Sequence, residues 1–436
     1  MNQLQLFLPC AAGVEDYLAA EVHGLTGLMG EDLLTRRGGV LVRASWRDAM
    51  RLNLHSRLAQ RVLVQLSYSD YRNEQDLYRA ASEVAWEIWF TPRETIKVEV
   101  TAQHSPLTSL NFAALKIKDA VCDRFRDKAH GVRPDVNTQW PDVRIFAHLT
   151  TDSLSLYIDT SGEPLFKRGW REDKGDAPLK ETLAAAMIAA SGWADGDADL
   201  LPLYDPGCGS GTIAIEAAQI ACNIAPGSLR RFAFEKYLPL QKHVWDAIKN
   251  EAKDAEVVRF PGQKPLIFGS DVAHRMVDFA QRNAQRAGVA DVIEFRGGDA
   301  LQRLSPVDVT ETGGGVMLLN PPYGERIDVA GVAKGGRRDE GYESDEQGDL
   351  PKGQEGRFGA RELAHTEDGG EFFSQLATHW KQNFSGWTAW VLTPDLKLPG
   401  KMRLKESRRV PMWNGPIECR MFKFDMVKGS AREKAR

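Results

Sequence analysis

The chain has few cysteines and none in a useful pattern: Cys10, Cys122, Cys208, Cys222 and Cys419 lie far apart among 436 residues, with no CxxC pair. An odd number at such spacing excludes a disulfide framework and a thiolate zinc site, and it fits a reducing compartment. No metal is expected. Long apolar runs are missing too, since no stretch approaches the roughly 18 residues a membrane helix needs. The amino terminus lacks a basic leading region, and Glu15 and Asp16 closely follow its apolar run. Pro9 before Cys10 argues against a lipoprotein signal, so a cytoplasmic protein with no membrane partner is expected. Net positive charge is also absent, with 56 Lys and Arg against 60 Asp and Glu. That deficit is local. Residues 331–371 hold 11 acidic and 6 basic side chains, whereas 397–436 hold 12 basic and 4 acidic. Whole-chain acidity therefore does not exclude a polyanionic partner. Aliphatic residues are nearly absent from 331–370, which cannot bury enough surface to offset chain entropy, so a disordered insertion is expected there.

What is present reads as a soluble α/β chain of two or three domains: 42% hydrophobic, 27% charged, with 11 Trp. Residues 1–55 suggest a small unit, with a strand over 4–8, a helix over 14–23 and a strand over 40–42 after Gly38-Gly39. A second unit spans 56–165, with a strand at 96–100, a helix over 115–126 and alternating strands at 144–149 and 153–158. The polar stretch 166–178 is a joint. From 179 to 427 a helix over 179–190 is followed by strand–turn–helix units around 200–222, 266–271 and 316–320. That order signals a parallel α/β sheet. A hairpin over 409–426 turning at Asn414-Gly415 closes it, and 428–436 is a basic tail. Nothing repeats internally.

Four motifs carry chemistry. Asp205-Pro206-Gly207-Cys208-Gly209-Ser210-Gly211 ends a strand in a turn whose glycines let a ligand approach the backbone. Thr212 occupies the place of the last glycine of a dinucleotide loop, which excludes the usual NAD pattern. The loop resembles the cofactor turn of class I S-adenosylmethionine methyltransferases; an ordinary glycine-rich turn is the plain alternative. Asp271, ending the next strand, offers two acceptor oxygens to ribose hydroxyls, or is a solvated loop aspartate. Asp299, after a third strand, is placed to accept from an adenine amino group. Asn320-Pro321-Pro322-Tyr323 is the most specific motif. The carbonyls of Asn320 and Pro321 can accept from an exocyclic base amine, the prolines fix φ, and Tyr323 offers a face to an unstacked base. Positioning supplies most of the rate, with no metal and no strong base.

More of the chain narrows the match. Phe7 to Glu15 (FLPCAAGVE), LFKRGWR at 165–171, APLKE at 177–181, Ala225-Pro226-Gly227 and WNGPIEC at 413–419 are similar to bacterial THUMP-containing guanine-N2 methyltransferases of 23S ribosomal RNA. The resemblance implies a ferredoxin-like unit, a THUMP RNA-binding domain and a Rossmann-like catalytic domain. It also implies S-adenosyl-L-methionine as cofactor on Asp205 to Gly211, Asp271 and Asp299, with Asn320 to Tyr323 at the base. The implied partner is 23S rRNA or a large-subunit assembly intermediate. Some relatives carry a second methyltransferase domain after the first; this chain has no room for a second, so only one modification is expected. The 331–370 insertion departs from the family pattern, either as a lid or, the preferred expectation, as disordered decoration.

Two basic runs are candidates for RNA contact: Lys116, Lys118, Arg124, Arg126, Lys128 and Arg133 around one helix, and Lys401, Arg403, Lys405, Arg408 and Arg409 nearer the carboxyl end. Other readings stay open. The same tetrapeptide serves adenine N6, transfer RNA is a second substrate class, and a non-catalytic assembly factor could retain this fold. Neither the modified nucleotide nor the oligomeric state follows from the residues.

Overall fold

The computed structural model describes residues 3–175, 178–195, 200–257, 265–308, 312–321 and 369–427. The expected tail 428–436 and nearly all of the expected insertion 331–370 lie outside the described residues.

Two seven-stranded sheets organise the chain. The first contains β1 (Leu4–Pro9), β2 (Leu33–Arg36), β3 (Gly39–Ala44), β4 (Leu63–Asp70), β5 (Ile96–Ala102), β6 (Val143–Leu149) and β7 (Ser153–Asp159). Its order is β2-β3-β1-β4-β7-β6-β5, antiparallel except for the β5–β6 pair. Strands from either side of residue 55 thus share one sheet, joined where Leu6 and Phe7 pair with Val64 and Leu63. β1 shows why it forms: Leu4, Leu6 and Leu8 are buried while the residues between them are half-buried, the period of a one-faced strand. Helices α1 (Glu15–Thr26), α2 (Trp46–His55), α3 (Glu74–Glu83) and α4 (Leu110–Lys128) accompany the sheet.

Local chemistry accounts for departures from the sequence expectation. α2 was not anticipated, yet Ser45 caps it by accepting from the Asp48 N–H while Asp48 accepts from the Ser45 N–H. α4 starts at Leu110 rather than 115 because Ser109 accepts from the Phe112 N–H. β7 was expected to alternate, but all seven residues are buried between β4 and β6. Its non-leucine face holds the small Ser153 and Ser155 and an Asp159 ion-paired with Arg61.

The second sheet contains β8 (Leu203–Asp205), β9 (Ile267–Asp271), β10 (Ile293–Gly297), β11 (Gly315–Leu319), β12 (Trp387–Thr393), β13 (Arg408–Asn414) and β14 (Ile417–Asp425). Its order is β10-β9-β8-β11-β12-β14-β13, parallel through β12, with β14 antiparallel. Helices α5 (Glu181–Ser191), α6 (Thr212–Ala221), α7 (Lys242–Asp254), α8 (His274–Arg286), α9 (Gly369–Asn383) and α10 (Leu398–Met402) flank it. β8 is shorter than expected because Pro202 has no N–H for the ladder. β11 (GVMLL) is buried throughout, as a central parallel strand with both faces covered must be. In the closing hairpin Asn414 still pairs with Ile417, so the turn residues are Gly415 and Pro416, one place later than expected.

The two halves interlock. Cys10 and Val14 share a core with Val410, Met412, Cys419 and Met421 of the closing hairpin. Deeper in, the buried Glu216 of α6 accepts from Arg168 Nε at 3.0 Å and Arg57 Nη1 at 3.4 Å. Arg168 also donates to the carbonyls of Leu165 and Arg57. Among the described residues no helix is long and apolar enough to cross a membrane.

Candidate active site

Open parallel sheets bind ligands where the strand order reverses. Here the chain runs from β8 outward to β9 and β10, then returns to β11 on the other side of β8. The crevice therefore lies beyond the carboxyl ends of β8 and β11. These strands are parallel neighbours, Met317 opposite Tyr204, so Asp205 and Asn320 leave the sheet at the same edge. The glycine turn touches β11 directly: a Cβ on Gly207 would stand 3.0 Å from Leu319 Cδ1. Two motifs more than a hundred residues apart in sequence become neighbours.

The turn is fixed from several sides. Asp205 is buried and accepts from the Gly207 N–H at 3.2 Å. Burial pushes its carboxyl up to about 8, and the negative charge of Asp271 adds to that rise. Cys208 is buried in the turn, which holds its thiol in the neutral form. Gly211 adopts φ +89° as the residue preceding α6, and a Cβ there would come 2.9 Å from Ala280 Cβ. Only glycine suits both demands.

The expected acidic residues line this edge. Asp271 ends β9 and binds the turn, its Oδ2 accepting from the Gly209 N–H at 2.9 Å. Its Oδ1 accepts from the Ala273 N–H at 2.9 Å. Each oxygen has two lone pairs, so among the described contacts one acceptor site remains on each. Asp299 lies two residues past β10, half-buried, with Oδ1 accepting from the Leu301 N–H. Asn320 is half-buried and Pro321 buried immediately after β11. Pro322 and Tyr323 lie outside the described residues.

Three regions of the chain match known domain families in the order this architecture demands. Residues 5–63 match the RlmL ferredoxin-like domain, 71–159 the THUMP domain and 168–334 the RMKL-like methyltransferase domain. The chain thus carries a ferredoxin-like, a THUMP and a methyltransferase domain. Among its relatives, the "Ribosomal RNA large subunit methyltransferase K/L" of Psychromonas ingrahamii is 36% identical over 95% of this chain and 49% of that protein. The protein of the same name from Shewanella amazonensis is 35% identical over 98% of this chain and 54% of its own length. The chain thus spans about half the length of the curated relatives it matches. Among solved structures, SMU.472 in complex with SAH is 25% identical with a TM-score of 0.78, covering 99% of this chain and 100% of that one. A predicted N6-adenine-specific DNA methylase from Listeria monocytogenes is 27% identical, TM-score 0.77, over 97% and 96%. The class I architecture expected from the sequence is the one this chain has.

Sequence reasoning missed several residues that hold the site. Arg171 and Asn283 both bind Ser210 of the turn, and the Phe295 ring packs where a Cβ on Gly269 would stand, 2.7 Å away. LFKRGWR was noticed as a family resemblance, but nothing in its spacing could tie it to a loop 39 positions on. The basic runs are partly self-neutralised. Arg124 is bound by Glu87, Arg126 by Asp123, Lys118 by Asp119, Lys401 by Asp395 and Arg409 by Glu406. Lys116 lies over the Phe112 ring, and Arg408 over Trp390.

Proposed function

We propose that this chain transfers a methyl group from S-adenosyl-L-methionine to the exocyclic N2 amine of a guanosine in 23S ribosomal RNA. One observation carries the reading: the Asp205–Gly211 turn and the Asn320-Pro321 corner emerge side by side at the switch point, Gly207 against Leu319.

The residues present fit the cofactor. Among the described residues, no atom beyond its two chain neighbours stands within 4 Å of where a side chain on Gly209 would begin, so the turn is open to them on that side. Among the described contacts Asp205 accepts a single hydrogen bond, leaving a buried carboxyl suited to a cationic or donor group. On this reading the backbone of Asp205, Pro206, Gly207, Cys208, Gly209, Ser210 and Gly211 holds the cofactor, with Asp271 and Asp299 accepting from its ribose and base. When bound, the cofactor supplies an electrophilic methyl group on a sulfonium. The chain supplies orientation. The Asn320 side-chain carbonyl and the Pro321 backbone carbonyl accept from the target amine, Pro322 stiffens the corner, and Tyr323 stacks on the extruded base. An exocyclic amine is a poor nucleophile because its lone pair is conjugated with the ring, so alignment is where the protein acts. Residues 1–55 and 56–165 form the RNA-binding half, 166–178 the joint and 179–427 the catalytic domain. Relatives named for the ribosomal RNA large subunit support 23S rRNA, free or in an assembly intermediate, as partner. That substrate implies a cytoplasmic enzyme.

Purified chain, labelled cofactor and unmodified 23S RNA test this, with digestion to nucleosides. N2-methylguanosine is the expected product. The Listeria relative's name favours a second reading, transfer to adenine N6, and labelled N6-methyladenosine would establish it instead. Binding of S-adenosylhomocysteine without transfer to ribosomal or transfer RNA would overturn both.

A further inference from the structure

The segment leaving the first sheet does more than connect the halves. Arg171 sits in it, 13% exposed, and reaches the cofactor turn. Its Nη1 donates to Ser210 Oγ at 3.0 Å, and its Nη2 to Thr212 Oγ1 at 2.7 Å and to the Leu179 carbonyl at 3.1 Å. Its Nε donates to Oε1 of Glu181 at 2.7 Å, a carboxylate only 4% exposed. Four of the five guanidinium N–H donors are thereby used. Ser210 and Thr212 flank Gly211, the left-handed residue before α6, and no side chain caps that helix. The guanidinium therefore bridges the bend itself.

A cation beside a helix amino terminus opposes the helix dipole, so stabilising α6 does not explain Arg171. Fixing the turn does. Ser210 is gripped at its other end as well: Asn283 Nδ2 donates to the Ser210 carbonyl at 3.1 Å and to the Asp173 carbonyl at 2.8 Å. Asp173 is in turn held by Arg282 and Arg286. Residues 171–173 and Ser210 form one hydrogen-bonded unit. A planar fork can span two hydroxyls and a carboxylate at fixed angles; a lysine ammonium cannot.

We propose that Arg171 is a positioning residue for the cofactor turn, setting cofactor affinity by bridging Ser210 and Thr212 across Gly211. This rests on the cofactor assignment above. The test is calorimetric titration of the full chain with S-adenosylhomocysteine, together with steady-state transfer kinetics. Arg171→Ala is expected to weaken binding about tenfold and to raise the cofactor KM by a similar factor, with kcat falling less than about threefold. Arg171→Lys restores the charge without the fork and recovers under half of the loss. Thr212→Val removes one acceptor, weakens binding about threefold, and adds nothing in the Arg171→Ala background. Affinities within about twofold of wild type for both Arg171→Ala and Thr212→Val overturn the proposal, as does a kcat that falls as far as KM rises. If Arg171→Ala does not fold, Arg171→Lys and Thr212→Val decide by the same titration. Wild-type chain that takes up no S-adenosylhomocysteine defeats the cofactor assignment itself. Wild-type binding with indifferent variants defeats the role of Arg171 alone.

Discussion

The two strand exits that meet at the site are built differently. The turn after β8 is braced by side chains from the joint, α5, α8 and β9: Arg171, Glu181, Asn283 and Asp271. Beneath it, α6 is anchored to both halves by Glu216 between Arg57 and Arg168. The corner after β11 follows a strand buried along its whole length. The contrast fits the two proposed tasks. A cofactor turn presents backbone groups and must keep its own shape, whereas an amine acceptor needs two carbonyls fixed at the end of a rigid strand.

The largest expected break comes from the brace. Glu216→Ala leaves the buried Arg168 and the half-buried Arg57 without this partner, and breaking a buried pair costs about 3–5 kcal/mol. Urea denaturation should show that loss; a change under about 1 kcal/mol would mean that the halves do not depend on this ion cluster. At the other exit, Asn320→Ala should leave S-adenosylhomocysteine affinity near wild type. Transfer should fall by about 10²–10³, the scale seen when one preorganised polar contact to the reacting group is lost. A variant that also loses the cofactor would erase the division between the exits. Gly211→Ala forces an L-residue to φ +89° against Ala280, a strain of about 1–3 kcal/mol. It should lower both stability and cofactor affinity, which the same two measurements separate.

A further expected effect is one of pH. The folded Asp205 carboxyl titrates at about 8, far above an unfolded aspartate. The folded state therefore holds a proton that the unfolded chain has released, and stability falls as pH rises through that interval. Asp205→Asn cannot ionise and should lose less stability between pH 5 and 8 than wild type does. Equal slopes in the two proteins would place the ionisation of Asp205 elsewhere.

Much of the fold was legible because local signals were strong. Leu4, Leu6 and Leu8 alternate, the Asp205-to-Gly211 turn announces a strand end, and the buried run before Asn320 reads as a central strand. What escaped notice had weak or displaced signals. α2 rests on a Ser45–Asp48 cap that is common in unstructured sequence too, and β7 lost its alternation in an interior position of the sheet that pairing with the distant β4 created. In the closing hairpin, Asn414-Gly415 is a strong local turn signal, but strand register moved the turn by one residue.

The sequence alone determined the chemistry on offer: a glycine turn open to a ligand, carboxylates at strand ends, and an Asn-Pro corner. These follow from residue type and from contacts a few positions apart, where backbone geometry leaves little freedom. Only the tertiary structure decided which of them meet. Gly207 comes against Leu319, Arg171 bridges Ser210 and Thr212, and Glu216 closes on two arginines because the order of parallel strands and the return of the joint bring distant segments together. Such proximities depend on packing across the whole chain, and no spacing in the sequence encodes them.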